Sequence, residues 1–133
     1  MKVALILAGG KGTRLAQVRD DIPKPMMPVL GKPILEYQIN LLKDHGFTDV
    51  WLIVNHLYHH IEDHFGKGEA FGIRIHYYVE PTPLGTVGGV KALQEHLTEP
   101  FIVLYGDVMM NMDLHRLFAF HQAKGADATL VVH

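Results

Sequence analysis

Cysteine is absent from this 133-residue chain, which excludes a disulfide and a thiolate metal site and fits a reducing compartment. Net charge is scarce as well. Twelve Lys and Arg oppose 14 Asp and Glu, a formal balance of -2 at pH 7 with a pI near 6.5. Such a balance gives no global attraction to nucleic acid or to an anionic membrane, so any anion site must be built locally. Long hydrophobic runs are missing too: Lys2 is followed by only the uncharged stretch Val3 to Ala8 before a glycine turn. That stretch is too short for a signal-peptide core and far too short to span a bilayer. There is no internal repeat, low-complexity tract or Pro/Gly/Ser linker. With 48% hydrophobic residues, the chain reads as one globular unit over residues 1–133, cytoplasmic, with small molecules rather than nucleic acid or membrane as partners.

What is present is an alternation of short apolar runs with segments of helical period. Strands are expected at Val3 to Leu7, Val50 to Val54, Ile73 to Val79, Phe101 to Tyr105 and Ala128 to Val132. Helices are expected at Ile34 to Asp44, Leu57 to Phe65, Thr86 to His96 and Leu114 to Lys124. Ile34, Gln38, Leu41 and Leu42 keep one face of the first helix mostly apolar, and Gly46 follows as a stop. A βαβ series of this kind predicts a mainly parallel sheet with helices on both faces and ligands at the carboxyl ends of its strands. The last run reads either as a terminal edge strand or as part of a domain that continues further.

The run Leu7-Ala8-Gly9-Gly10-Lys11-Gly12-Thr13-Arg14-Leu15 follows the first strand. Its glycines let the backbone turn sharply and bring NH groups against a ligand, while Lys11 and Arg14 add positive charge, the chemistry of a polyphosphate site. A Walker loop is excluded, because alignment on Gly10-Lys11 puts Leu5 at the first required Gly and Gly12 at the required Ser or Thr. A dinucleotide fingerprint puts Leu15 where a third Gly should permit close packing. An ordinary strand-to-helix turn with incidental basic residues is the remaining alternative.

Three further elements bear on that choice. Lys24 stands between Pro23 and Pro25, whose rings stiffen an extended segment able to aim an ammonium at a phosphate; the bland alternative is a solvated lysine on a proline-rich loop. Gly106-Asp107 follows a buried strand, and a lone strand-end carboxylate beside a polyphosphate makes half of a magnesium site, or else a turn residue. Asp113, directly before Leu114, is the better helix cap. In Glu80-Pro81-Thr82-Pro83-Leu84-Gly85-Thr86-Val87-Gly88-Gly89, stiff backbone leads into glycines that allow a flat base to approach. An ionised Glu80 would match the adjacent N1-H and N2-H donors of guanine, or would be ion-paired or solvated. His56, His60 and His64 share a helical face with His59 nearby, but consecutive turns spread about 12 Å along an axis cannot all reach one ion, so they read as a polar face. No spacing specifies a nucleophilic triad.

Together, the run Leu7 to Leu15, Pro23-Lys24-Pro25-Met26, Gly31-Lys32-Pro33, Leu84-Gly85-Thr86-Val87-Gly88-Gly89 and Gly106-Asp107 resemble the sugar-1-phosphate nucleotidyltransferases over the whole chain. Leu84-Gly85-Thr86 with Glu80 is most similar to the mannose-1-phosphate and heptose-1-phosphate guanylyltransferases. The resemblance implies a Rossmann-like three-layer α/β sandwich of the GT-A-like nucleotidyltransferase type, of which this chain is the N-terminal, nucleotide-binding portion. It implies attack of a sugar phosphate oxygen on the α-phosphorus of a nucleoside triphosphate, GTP by the subgroup, with pyrophosphate leaving and Mg²⁺ as cofactor. On this basis Leu7, Ala8, Gly9, Gly10, Lys11, Gly12, Thr13 and Arg14 hold the nucleotide, with Asn55, Glu80, Gly85 and Thr86 toward the nucleoside. Arg14, Lys24 and Asp107 serve catalysis, Lys24 on the reacting phosphates and Asp107 on the metal. The family's domains continue past the equivalent of residue 133, into a part carrying a second metal-binding Asp and most of the sugar pocket. The competing expectation is a noncatalytic nucleotide or sugar-nucleotide binding module or an assembly fragment, with homo-oligomer formation through exposed apolar surface left open.

Overall fold

The computed structural model describes residues 2–9, 22–55, 58–81 and 85–131; for residues 85–87 the backbone alone is described. In chain order the elements are β1 (Val3–Leu7), a small hairpin of β2 (Pro28–Val29) and β3 (Lys32–Pro33), α1 (Ile34–Asp44), β4 (Asp49–Val54) and α2 (His59–Phe65). They continue with β5 (Arg74–Val79), α3 (Gly85–Ala92), β6 (Ile102–Tyr105) and α4 (Leu114–Lys124). Short 3-10 turns lie at Lys24–Met26, Glu69–Phe71 and Gln94–His96.

β1, β4, β5 and β6 form one parallel sheet in the order β5-β4-β1-β6. The central strands β1 and β4 are apolar at nearly every position because both their faces are covered, whereas β5, Arg-Ile-His-Tyr-Tyr-Val at the edge, buries only Ile75. Ala4 and Ile6 of β1, with Val50, Leu52 and Val54 of β4, pack under Leu35, Ile39 and Leu42 of α1, Ile61 and Phe65 of α2, and Leu114 of α4. The alternate residues Leu5 and Ile53 face the other way, onto Val90 of α3 and Leu93 and Leu97 beyond it. The result is the expected three-layer α/β sandwich, with the period-two alternation of each strand dividing the core in two.

Most boundaries follow local chemistry. α1 ends at Asp44, and Gly46 turns the chain at φ +81°, the left-handed stop expected of it. Asp113 caps α4, its carboxylate accepting from the Arg116 backbone N–H at 3.2 Å. The expected helix Thr86 to His96 is instead two pieces. α3 closes at Ala92, after which Leu93 donates to Val90 O and His96 to Leu93 O, tightening the chain into the Gln94–His96 turn. Of the expected helix Leu57 to Phe65, His59–Phe65 is helical; Leu57 lies outside the described residues.

The expected strand Ala128 to Val132 is corrected: the chain over 128–131 forms no strand, and Val132 lies outside the described residues. A strand exists only by pairing, and this segment is held instead by a side chain of α4, with His121 Nδ1 2.8 Å from Thr129 Oγ1. Leu130 and Val131 are exposed.

Candidate active site

The chain runs from β1 outward through β4 to β5, then returns to the opposite side of β1 to lay down β6. Right-handed crossovers in opposite directions put α1 and α2 on one face and α3 on the other, as found. The reversal falls between β1 and β6, and in such sheets the crevice above the carboxyl ends at the reversal is where ligands bind.

Four sequence-predicted residues follow the four strand ends in sheet order. Glu80 comes after β5, Asn55 after β4, Gly9 shortly after β1 and Asp107 after β6. The ladder continues past the strands to hold them there. Glu80 N donates to Val54 O at 2.9 Å, Ala8 N to Ile53 O at 2.8 Å and Gly106 N to Leu7 O at 3.0 Å. The Asn55 side chain donates through Nδ2 to the Gly9 carbonyl, joining the two central strand ends. Leu7 closes β1, Ala8 is buried behind it, and Gly85 and Thr86 form the first turn of α3. Gly10, Lys11, Gly12, Thr13 and Arg14 lie outside the described residues.

Lys24 differs in one respect from the sequence expectation. Pro23 is extended at φ -69°, ψ 150°, but Lys24, Pro25 and Met26 close into a 3-10 turn, with Met26 N donating to Pro23 O and Met27 N to Lys24 O. These bonds outweigh the extended bias that Pro25 places on the residue before it. The turn nonetheless fixes the side chain toward one partner. Pro23 and Pro25 are buried, and Lys24 Nζ donates to Asp107 Oδ2 at 3.1 Å, both side chains partly exposed to the crevice.

Asp107 is a central residue of the turn Tyr105-Gly106-Asp107-Val108, closed by Val108 N donating to Tyr105 O at 3.3 Å. Gly106 sits in close approach: a Cβ there would meet Leu7 O and the Pro25 Cγ at 3.1 Å, and Ile6 Cγ2 at 3.2 Å, so a side chain would be crowded. The proline turn bearing Lys24 and the turn bearing Asp107 are thus packed against each other through the missing side chain.

A further residue at this turn escaped the sequence reading. Gln38, counted above in the apolar face of α1, is fully buried, and its Nε2 donates to both Tyr105 O and Val108 O at 2.6 Å. The one signal it leaves in sequence is an amide in an otherwise apolar stripe, which needs partners but does not say which. Of the four histidines read as a polar helix face, His59 and His60 are exposed on α2, His64 Nε2 lies 2.9 Å from Glu36 Oε1, and His56 lies outside the described residues.

The sequence and the fold both have counterparts among known proteins. The nucleotidyl transferase family model matches residues 3–133. The chain is 40% identical over 140 residues to a UTP–glucose-1-phosphate uridylyltransferase of Synechocystis, covering 96% of this chain and 36% of that protein. It is 43% identical over 114 residues to the D-glycero-alpha-D-manno-heptose 1-phosphate guanylyltransferase of Campylobacter jejuni, covering 86% of this chain and 51% of that protein. Among solved structures, HddC from Yersinia pseudotuberculosis complexed with GMP-PN superposes with a TM-score of 0.79 at 34% identity, over 91% of this chain and 54% of that one. The chain therefore spans between a third and about half of the length of these relatives. By the family match, these identities and the sheet that carries them, the chain belongs to the sugar-1-phosphate nucleotidyltransferases of the nucleotidyl transferase family.

Proposed function

We propose that the protein transfers a guanylyl group from GTP to a sugar 1-phosphate, releasing pyrophosphate. The observation that carries this reading is the Lys24–Asp107 pair at the β1/β6 reversal, beside the strand end from which the glycine run departs. In the reaction a sugar phosphate oxygen forms a bond to the α-phosphorus while the bond from that phosphorus to the β-phosphate bridging oxygen breaks. No enzyme nucleophile takes part, so the chain's work is positioning and charge neutralisation. Lys24 places a fixed ammonium beside the reacting phosphates, and Gly9 with the Gly10 to Arg14 run supplies backbone NH groups and cationic side chains to the triphosphate.

Asp107 suits Mg²⁺: a hard carboxylate oxygen, partly exposed, on a turn fixed at the crevice. Magnesium is commonly held by one or two carboxylates plus substrate phosphates, so Asp107 is the residue of the described chain that would hold it. When bound, the ion would offset charge on the phosphate oxygens and orient them.

Glu80 supports guanine as the base. An ionised carboxylate accepts from two adjacent donors, which guanine offers on its Watson–Crick edge and uracil does not. Glu80 stands at the far side of the sheet from Asp107, three strand spacings or about 14 Å away, room for an extended nucleotide between them. Relatives named as heptose- and mannose-1-phosphate guanylyltransferases favour the same base, and those named as uridylyltransferases make UTP the competitor to test. The test is pyrophosphate release by the full-length protein with Mg²⁺, mannose or heptose 1-phosphate, and GTP, UTP or CTP in turn. Turnover fastest with GTP is the expected result. Preference for UTP overturns the base assignment, and binding without turnover for any pair of substrates makes the protein a nucleotide-binding module.

A further inference from the structure

We propose that Gln38 is a positioning residue that acts through the Tyr105–Val108 turn to aim the Asp107 carboxylate. The inference rests on the metal role given to Asp107 above. Gln38 projects from the middle of α1 beneath the crevice and is completely buried. Its two Nε2 hydrogens are divided between the carbonyls of Tyr105 and Val108, each at 2.6 Å. Those carbonyls bracket Gly106 and Asp107, so the amide grips the turn from behind while Asp107 projects from it toward Lys24.

The orientation of the amide follows from its partners. Two carbonyl acceptors demand the NH₂ end, and a flipped amide would set oxygen against oxygen. The consequence is visible on the other side of the group, where Gln38 Oε1 is buried without a hydrogen-bond partner among the described residues. A leucine or methionine would fill the same stripe of α1 without stranding an acceptor. Gln38 thus bears a cost to the core, and what it supplies in return is two directed bonds on the one turn that carries the metal carboxylate. Asparagine is too short to reach from the same backbone position, and lysine or arginine would bring a charge into the apolar layer. Groups that orient a metal ligand in this way change metal affinity without touching the ion.

The experiment measures Mn²⁺ binding to the full-length protein by electron paramagnetic resonance, with saturating GTP and in parallel UTP, for wild type, Gln38→Met, Asp107→Ala and the double variant. Thermal unfolding is followed alongside. Gln38→Met keeps the side-chain volume and loses both donors; Gln38→Glu, which keeps the shape and replaces the NH₂ by oxygen, serves as the second variant. The expected result is a folded Gln38→Met protein whose Mn²⁺ affinity falls about tenfold or more, with no further fall when Asp107 is already alanine. An unchanged affinity in Gln38→Met, or the same loss in both Asp107 backgrounds, overturns the inference. So does loss of folding in both Gln38 variants, which would make the residue a structural one. If Asp107→Ala itself leaves Mn²⁺ binding intact, the metal assignment has failed rather than the positioning argument alone.

Discussion

Lys24 and Asp107 lie 83 positions apart and meet at 3.1 Å, each on a turn too tightly packed to drift. A preplaced ammonium avoids reorganisation when charge develops on transferring phosphates, which is where such a group is most effective. Lys24→Ala should lower kcat/KM for pyrophosphate release by about 10²- to 10³-fold, with the far-ultraviolet circular dichroism unchanged. Glu80→Gln should act on selectivity instead. Replacing one acceptor by a donor should cut kcat/KM with GTP by about tenfold or more and leave UTP nearly unaffected, measured as the ratio of the two. At this scale the sequence was informative about placement: Asp107 and Glu80 stand out as charges just after strands, and Lys24 as a charge between two prolines. Gln38 was hidden because one amide in the stripe Ile34, Leu35, Ile39, Leu42 barely alters its periodicity, and its partners come from the far end of the chain.

At the scale of elements, the contact between the Lys24–Met26 turn and the Tyr105–Val108 turn is the joint on which the site depends. A methyl at position 106 would press on a sheet carbonyl that accepts from Gly106 itself and on the buried ring of Pro25, neither of which can yield cheaply. Gly106→Ala should therefore cost about 1–3 kcal/mol of stability, read by chemical denaturation, and should lower kcat/KM by spreading Lys24 from Asp107. Elements defined by their own caps and period were legible beforehand: β1, α1 and α4 have the expected ends. The paired strands β4, β5 and β6 also fall within one residue of expectation, but two readings failed. The run Ala128 to Val132 has the composition of a strand, yet composition cannot provide a neighbour to pair with. The break after Ala92 likewise reflects burial of Leu93 against Leu5 and Ile53, a tertiary demand invisible in the helical pattern.

Across the whole molecule, the proposed site lies at the carboxyl ends of the sheet, and a buried ion pair lies at the other. At the amino ends of β4 and β5, buried Asp49 accepts from Arg74 Nε and Nη2 at 2.8 and 2.7 Å, from Thr48 Oγ1 at 2.7 Å, and lies 3.0 Å from His76 Nε2. The Arg74 hydrogen bonds hold its carboxyl well below the usual carboxylate range, helped by His76 and Thr48 and opposed by burial. A carboxyl depressed in the folded state adds stability at pH values above its unfolded pKa of about 3.9, and that stability is lost as the pH falls through the folded value. Asp49→Asn should thus destabilise the protein by about 2 kcal/mol at pH 7, with the gap to wild type shrinking progressively below about pH 4 in denaturant titrations. Lys24→Ala, at the opposite end of the sheet, should leave that stability difference unchanged.

The order β5-β4-β1-β6 also bears on how such a sheet can diversify. Under the assignments proposed here, the group that reads the base follows β5 and the metal carboxylate follows β6, with β4 and β1 between them. Substitutions after β5 can then change which nucleotide is chosen while the turns after β1 and β6 go on performing the same transfer. Relatives named for uridylyl and for guanylyl transfer, all retaining a large share of this chain's residues, are what a scaffold partitioned in that way would produce.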